Sequence, residues 1–138
     1  MLVLDANILV RAVLGRRVRT IIATYGSTVE FFAPDVAFEE ARRHLPNILL
    51  KRRIPAEPGM ALLDSLGEVI QAVEFDTYAV FEESARERLF RRDPHDWPVL
   101  ATALLLNCPI WTEDTDFFGA GVATWTTDRV ELFLQGVG

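Results

Sequence analysis

Four acidic residues lie far apart in the chain, and each stands where a carboxylate could do chemistry. Asp5 directly follows the apolar run Leu2-Val3-Leu4, so its side chain should project from the end of a buried strand. Asp114 stands two residues past a second short strand, Pro109 to Thr112. Asp96 opens the apolar helix Trp97 to Leu106, where free amide groups and the helix dipole favour negative charge. Taken alone, Asp96 reads equally well as a helix cap. Glu40 can be placed on a helical wheel. With Val36 at the origin, Glu40 falls at about 40°, Ala37, His44, Ile48 and Ala41 at about 80 to 140°, and Glu39 near Arg42 and Arg43 on the other side. This puts Glu40 on the core-facing stripe. A carboxylate aimed inward is costly unless it is paired or holds a metal, and no Lys or Arg shares that stripe. A cation is the fitting partner.

The elements that must position these acids alternate along the chain. Leu2 to Leu4 reads as a strand, Asn7 to Leu14 as a helix stopping at Gly15, and Val18 to Tyr25 as a second helix stopping at Gly26. Val29 to Ala33 has strand character, and Pro34 suits the first turn of a long helix that Pro46 should kink or split. Pro58 to Leu66 is helical, Val69 to Val73 a strand, and Thr77 to Phe90 one amphipathic helix with Glu82, Glu83, Arg86 and Glu87 outward. Pro94 to Leu106 is an apolar helix capped by Asp93 or His95. Val122 to Trp125 forms a last strand, and Thr127 to Leu134 a closing helix capped by Thr126 or Thr127. Short apolar strands separated by helices predict an α/β fold, a three-layer α/β/α sandwich around a central, mostly parallel, Rossmann-like sheet. Such sheets bind ligands at the carboxyl ends of their strands.

With 138 residues, half of them hydrophobic and a quarter charged, residues 1–138 form one globular domain able to bury its own core. Cys108 is the only cysteine, which excludes an internal disulfide or thiolate cage and suits a cytoplasmic setting. The first residues lack a basic segment followed by an apolar one, and no apolar run approaches the ~20 residues of a membrane span. Net charge is −6, but it is polarised. Met1 to Ala56 holds nine basic and five acidic residues, a net of +4; the rest holds five and fifteen, a net of −10. A basic half suits a polyanion and an acidic half a basic partner. Arginines suited to phosphate contacts include Arg11, Arg16, Arg17, Arg42 and Arg43. His44 and His95 are poor general bases; His44 reads as a satisfied core or interface histidine, and Trp97, Trp111 and Trp125 as core packing.

The chain resembles the PIN-domain family in four pieces that follow in order from Leu2 to Phe117: Leu-Val-Leu-Asp5-Ala-Asn7-Ile-Leu; Pro34 six residues before Glu40; Asp96 followed by Ala101 and Ala103 on an apolar helix; and Pro109-Ile-Trp-Thr112-Glu-Asp114-Thr-Asp116-Phe117. The resemblance implies that Asp5, Glu40, Asp96 and Asp114 jointly hold one or two Mg²⁺ or Mn²⁺ ions, with Asn7 and Thr112 orienting them. Asp93 and Asp116 stand close enough in sequence to share the roles of Asp96 and Asp114. It further implies a metal-dependent endoribonuclease leaving 3′-hydroxyl and 5′-phosphate ends, with RNA as substrate. Within the family, the VapC-type toxin, a homodimer inhibited by an antitoxin protein, is the leading role, and a housekeeping or degenerate PIN domain the alternative. A haloacid-dehalogenase-like phosphatase needs an Asp where Asn7 stands. A receiver domain needs a late Lys, but the only Lys is Lys51. No Gly-rich phosphate loop supports a nucleotide-binding enzyme.

Overall fold

The computed structural model describes residues 1–137. Five strands form a sheet in the order β3-β2-β1-β4-β5: β1 (Leu2–Leu4), β2 (Phe31–Pro34), β3 (Ile70–Val73), β4 (Ile110–Trp111) and β5 (Thr124–Trp125). Every pairing is parallel, with Val3 opposite both Phe32 and Ile110, so the expected sheet is wholly rather than mostly parallel among the described residues. Parallel strands expose all their carboxyl ends along one edge. Asp5, Asp35 and Thr112 are the residues that immediately follow β1, β2 and β4 on that edge.

Strand alternation divides the core in two. Leu2, Leu4, Phe31, Ala33, Ile70 and Trp111 face one layer, built from α1 (Ala6–Leu14), α2 (Arg16–Tyr25), α3 (Asp35–Lys51) and α4 (Ala56–Leu66), with Val130 and Leu134 of the closing helix. Val3 and Ile110 face the other, built from α5 (Phe75–Tyr78), α6 (Glu82–Arg88) and α7 (Trp97–Leu106). Helix α7 is buried from Trp97 to Ala103, in keeping with an apolar sequence interrupted only by Thr102, whose hydroxyl donates to the Pro98 carbonyl at 2.8 Å. It ends where Asn107 adopts a left-handed conformation (φ 52°) and donates its N–H to the Ala103 carbonyl.

Three expectations need correction. The helix Thr77 to Phe90 is two helices, α5 and α6, joined by a 3₁₀ turn at Ala79–Phe81. The closing helix α8 is Val130–Val137, three residues later than its amphipathic pattern suggested, because Thr127 serves a different purpose. Its hydroxyl accepts from the buried Trp111 indole at 3.1 Å, and its amide donates to Glu113 at 2.8 Å. Pro46 does not split α3, which continues to Lys51. Trp97 and Trp111 are core residues as expected, and half-buried Trp125 stacks on Phe133 at 5.8 Å.

The link between layers that matters most for the site runs from Asp35. Its carboxylate accepts from Val36 N at 2.8 Å, Phe75 N at 3.0 Å and the Tyr78 hydroxyl at 2.8 Å, tying the start of α3 to α5. Tyr78 and Phe75 in turn pack edge-on or tilted against Trp97, with ring centroids 5.6 and 5.9 Å away, and the Arg86 guanidinium lies 5.3 Å from the Trp97 ring. This cluster fixes the first turn of α7. Burial and the Asp35 carboxylate push the Tyr78 phenol well above its usual range, so it stays a donor. Tyr78→Phe should cost about 1.5 kcal/mol, the scale of a hydrogen bond to a charged group, read as a lower urea midpoint with an unaltered slope.

Candidate active site

Asp5 continues from β1 into α1 and is 6% exposed. One carboxylate oxygen accepts from Ala6 N at 2.7 Å, capping α1. The other accepts from the Thr112 hydroxyl at 2.8 Å and the Asn7 amide at 3.2 Å. Thr112 in turn accepts from Asp114 N at 2.9 Å and Asn7 Nδ2 at 3.3 Å, and Asn7 Oδ1 accepts from Glu113 N at 3.3 Å. The ends of β1 and β4 are thus stitched together around one acid.

Asp96 precedes α7 but makes no capping bond with its side chain. That task falls one turn earlier to Asp93, whose carboxylate accepts from His95 N at 3.0 Å; His95 is not the cap. The Asp96 carboxyl is free to face Asp114 and Asp116. Oxygens of Asp96, Asp114 and Asp116 all lie within 4.8 Å of one another. Asp114 also receives Asp116 N at 2.9 Å, which turns the loop so that both acids point the same way. The outer side of that loop is strapped by two arginines: Arg92 donates to the Asp116 carbonyl at 3.1 Å and Arg88 to the Ala120 carbonyl at 2.8 Å. Gly119 and Gly121 (φ +81° and +88°) let the chain pass beneath those guanidinium groups, which a Cβ would meet.

A cleft of about 390 Å³ brings Asp5, Asn7, Arg11, Glu40, Asp96 and Asp114 together. Val10, Ala41 and Ile48 add apolar surface to its lining. Asp116 joins through the carboxylate triad, whereas Asp93 is exposed and acts on Asp96 through its charge and through its carbonyl, which accepts Asp96 N at 3.2 Å. Glu40 is exposed, not buried as its wheel position suggested, and so is His44. The buried residues of α3 are Ala37, Ala41, Leu45 and Leu49. Leu45 and Leu49 shift the stripe's centre to about 160° on the same wheel, leaving Glu40 and His44 on the flank where α3 borders the cleft. Of the arginines, Arg11 lines this cleft, Arg17 lines the adjacent one, and Arg16, Arg42 and Arg43 line neither; Arg42 pairs with Asp64 at 2.9 Å.

Crowding sets the electrostatics. Burial raises Asp5 from the ordinary carboxylate value of 3.8 to about 6; the Thr112 and Ala6 hydrogen bonds oppose the shift, and the charges of Glu40 and Asp114 add to it. Asp96 is pushed to about 8 by burial first, then by the charges of Asp5, Asp114 and Asp93 and a hydrogen bond to Asp114. With no cation, the cluster holds a proton near neutrality. The donors are hard carboxylate oxygens, which suit Mg²⁺, Mn²⁺ or Ca²⁺. Three oxygens no more than 4.8 Å apart lie within about 2.8 Å of a common centre, so shifts of less than about 1 Å would bring them to the 2.0–2.6 Å reach of such an ion.

The PIN-domain model matches residues 3–135. The chain belongs to the PIN-domain family. Solved structures with the same fold include VapBC2 from Rickettsia felis bound to a DNA fragment from its promoter (13% identity, TM-score 0.71, covering 91% of this chain and 97% of that one). A toxin–antitoxin complex from Klebsiella pneumoniae aligns at 18% identity with a TM-score of 0.65 over 92% and 98% of the two chains. FitAB bound to the IR36 DNA fragment aligns at 20% identity with a TM-score of 0.61 over 92% and 95%. No curated protein matches this PIN domain.

Both shifted acids have folded-state values above those of the unfolded chain. Their contribution to stability is therefore full below pH 3.8 and is lost as pH rises through about 6 and then about 8. Metal-free protein should show a melting temperature that falls across this window. Saturating Mn²⁺ should raise the melting temperature at pH 8 and, at pH 7, release protons measurable by calorimetry in buffers of different ionisation enthalpy.

Proposed function

We propose that this PIN domain is a Mg²⁺- or Mn²⁺-dependent endoribonuclease, with Asp5, Asp96, Asp114 and Glu40 as its catalytic and metal-holding acids and Asp116 as a further ligand. The observation that carries the reading is the meeting of three carboxylates within 4.8 Å beside buried Asp5 in a cleft on the sheet's carboxyl edge. When bound, the cation would supply a more acidic water and neutralise charge building on the phosphate.

The chain's own residues supply the geometry. Thr112 and Asn7 fix the orientation of the Asp5 carboxylate, and the turn at Asp114 aims Asp114 and Asp116 inward. Asp96 gives up its proton when positive charge enters the cluster. Glu40, exposed on the opposite wall, is placed to accept a proton from a water at the cleft's mouth.

The biological role that fits best is the toxin of a toxin–antitoxin pair, acting in the cytoplasm as a homodimer and restrained by a protein partner. Support comes from the fold shared over nearly the whole chain with toxin–antitoxin structures and from the acidic second half, suited to a basic inhibitor. No helix among the described residues is long and apolar enough to cross a membrane.

Purified protein should cleave RNA with Mg²⁺ or Mn²⁺ and lose the activity in EDTA. Asp5→Asn and Glu40→Gln should lower the rate by more than about 100-fold, and Thr112→Val, which removes the hydroxyl that orients Asp5 and anchors the Asp114 amide, by about 10- to 100-fold. Cleavage that survives EDTA or all three substitutions would overturn the proposal. Expression alone should arrest growth, and co-expression of the reading frame encoded directly beside it should relieve the arrest.

A further inference from the structure

We infer that the cleft adjoining the acidic site, where Arg11, Arg17 and Arg52 converge, is a phosphate track that holds the nucleic-acid backbone flanking the cleaved bond. The inference rests on the nuclease reading for its direction, but its binding chemistry is independent of it. The second cleft, of about 560 Å³, is lined by these three arginines together with Glu113, Thr127 and Asp128. Arg11 lines both clefts, so the two adjoin at that residue.

Helix α1 makes the connection. Asn7, Arg11 and Leu14 are spaced i, i+4, i+7 and form one stripe, while Ala6, Leu9 and Val13 turn to the core. The stripe begins at Asn7, beside Asp5, and reaches Arg11 about 6 Å further along the axis, at 1.5 Å per residue. Arg17 enters from the first turn of α2. Arg52 is the C-terminal cap of α3, held in place because its amide donates to Ile48 and Ile54 N bonds back to Leu49 O at 2.9 Å.

The charges have the arrangement a polyanion needs. Three guanidinium groups face two carboxylates, Glu113 and Asp128, right next to a cleft that is negative without a cation. Glu113 is occupied with Thr127 N, and Asp128 with Arg17 at 2.8 Å; that ion pair is exposed and of little energetic weight. Arg11 and Arg52 make no salt bridge among those of the described residues. A ligand spanning both clefts would offer an anion to the acidic site's cation at one end and further anions to the guanidinium groups beyond it, as a phosphodiester chain does.

The test is fluorescence anisotropy with a labelled single-stranded RNA in Mg²⁺, using protein that carries Asp96→Asn to suppress cleavage. Arg52→Ala and Arg17→Ala should each weaken binding several-fold and reduce the salt slope by about 0.7 per lost phosphate contact. Asp128→Asn, which releases Arg17, should tighten binding. Arg16→Ala and Arg43→Ala, off the track, should leave it unchanged. Equal losses from on-track and off-track arginines, or no loss from either, would overturn the track, as would displacement of the RNA by an acidic peptide at matched charge concentration. Cleavage by the otherwise unaltered protein is scored separately. A chain that cleaves RNA but ignores Arg52→Ala refutes only the track, and one that binds through Arg52 but never cleaves refutes only the nuclease.

Discussion

The buried carboxylate of Asp5 is the constraint on which the rest of this structure depends. An acid only 6% exposed must be neutralised by its surroundings, and here Ala6 N, Asn7 and Thr112 do so in part. Because Thr112 and Asn7 also bond to the chain at Asp114 and Glu113, the demands of one side chain fix the relative placement of the ends of β1 and β4. Those bonds do not fully compensate the charge, as the raised Asp5 and Asp96 values show. Added positive charge would relieve this residual frustration and so couple folding energetics to cation binding.

The site straddles two layers. Asp5, Asn7 and Glu40 hang from the sheet edge and the α1–α3 layer, whereas Asp96 hangs from α7 on the opposite face. Asp35, Tyr78 and Trp97 span the gap from behind and hold the first turn of α7 against the sheet. Geometry at the acids is therefore set by apolar and aromatic packing some distance from the cleft, which suits a set of like charges that would otherwise move apart.

Much of this was legible in the sequence. An acid at the end of an apolar run, as at Asp5, announces a strand whose carboxyl end carries a charge, and alternating short strands and helices announce a parallel sheet with both faces covered. Other parts depend on tertiary information. The wheel sets Glu40 on a stripe with Ala37, His44, Ile48 and Ala41; burial of Leu45 and Leu49 moves that stripe and turns Glu40 outward. Asp35 follows β2 as Asp5 follows β1, a signal available in the sequence, but its partners Phe75 and Tyr78 lie 40 and 43 residues away. Asp116 was visible only as a competitor of Asp114, since whether two acids two residues apart diverge or converge depends on the turn between them. Nothing in the sequence sets Arg52 apart from its neighbours Lys51 and Arg53; it alone of the three lines the second cleft, from the end of α3.

The two left-handed glycines under Arg88 and Arg92 expose the loop to damage from outside the acidic cluster. Gly119 and Gly121 touch no carboxylate, yet a side chain at either would strain the backbone and press on the guanidinium above it. At Gly119 that guanidinium is the one gripping the Asp116 carbonyl. A substitution there would disturb the support of the Asp116 loop while leaving every acid in place. A survey of acidic residues alone would score such a sequence as intact.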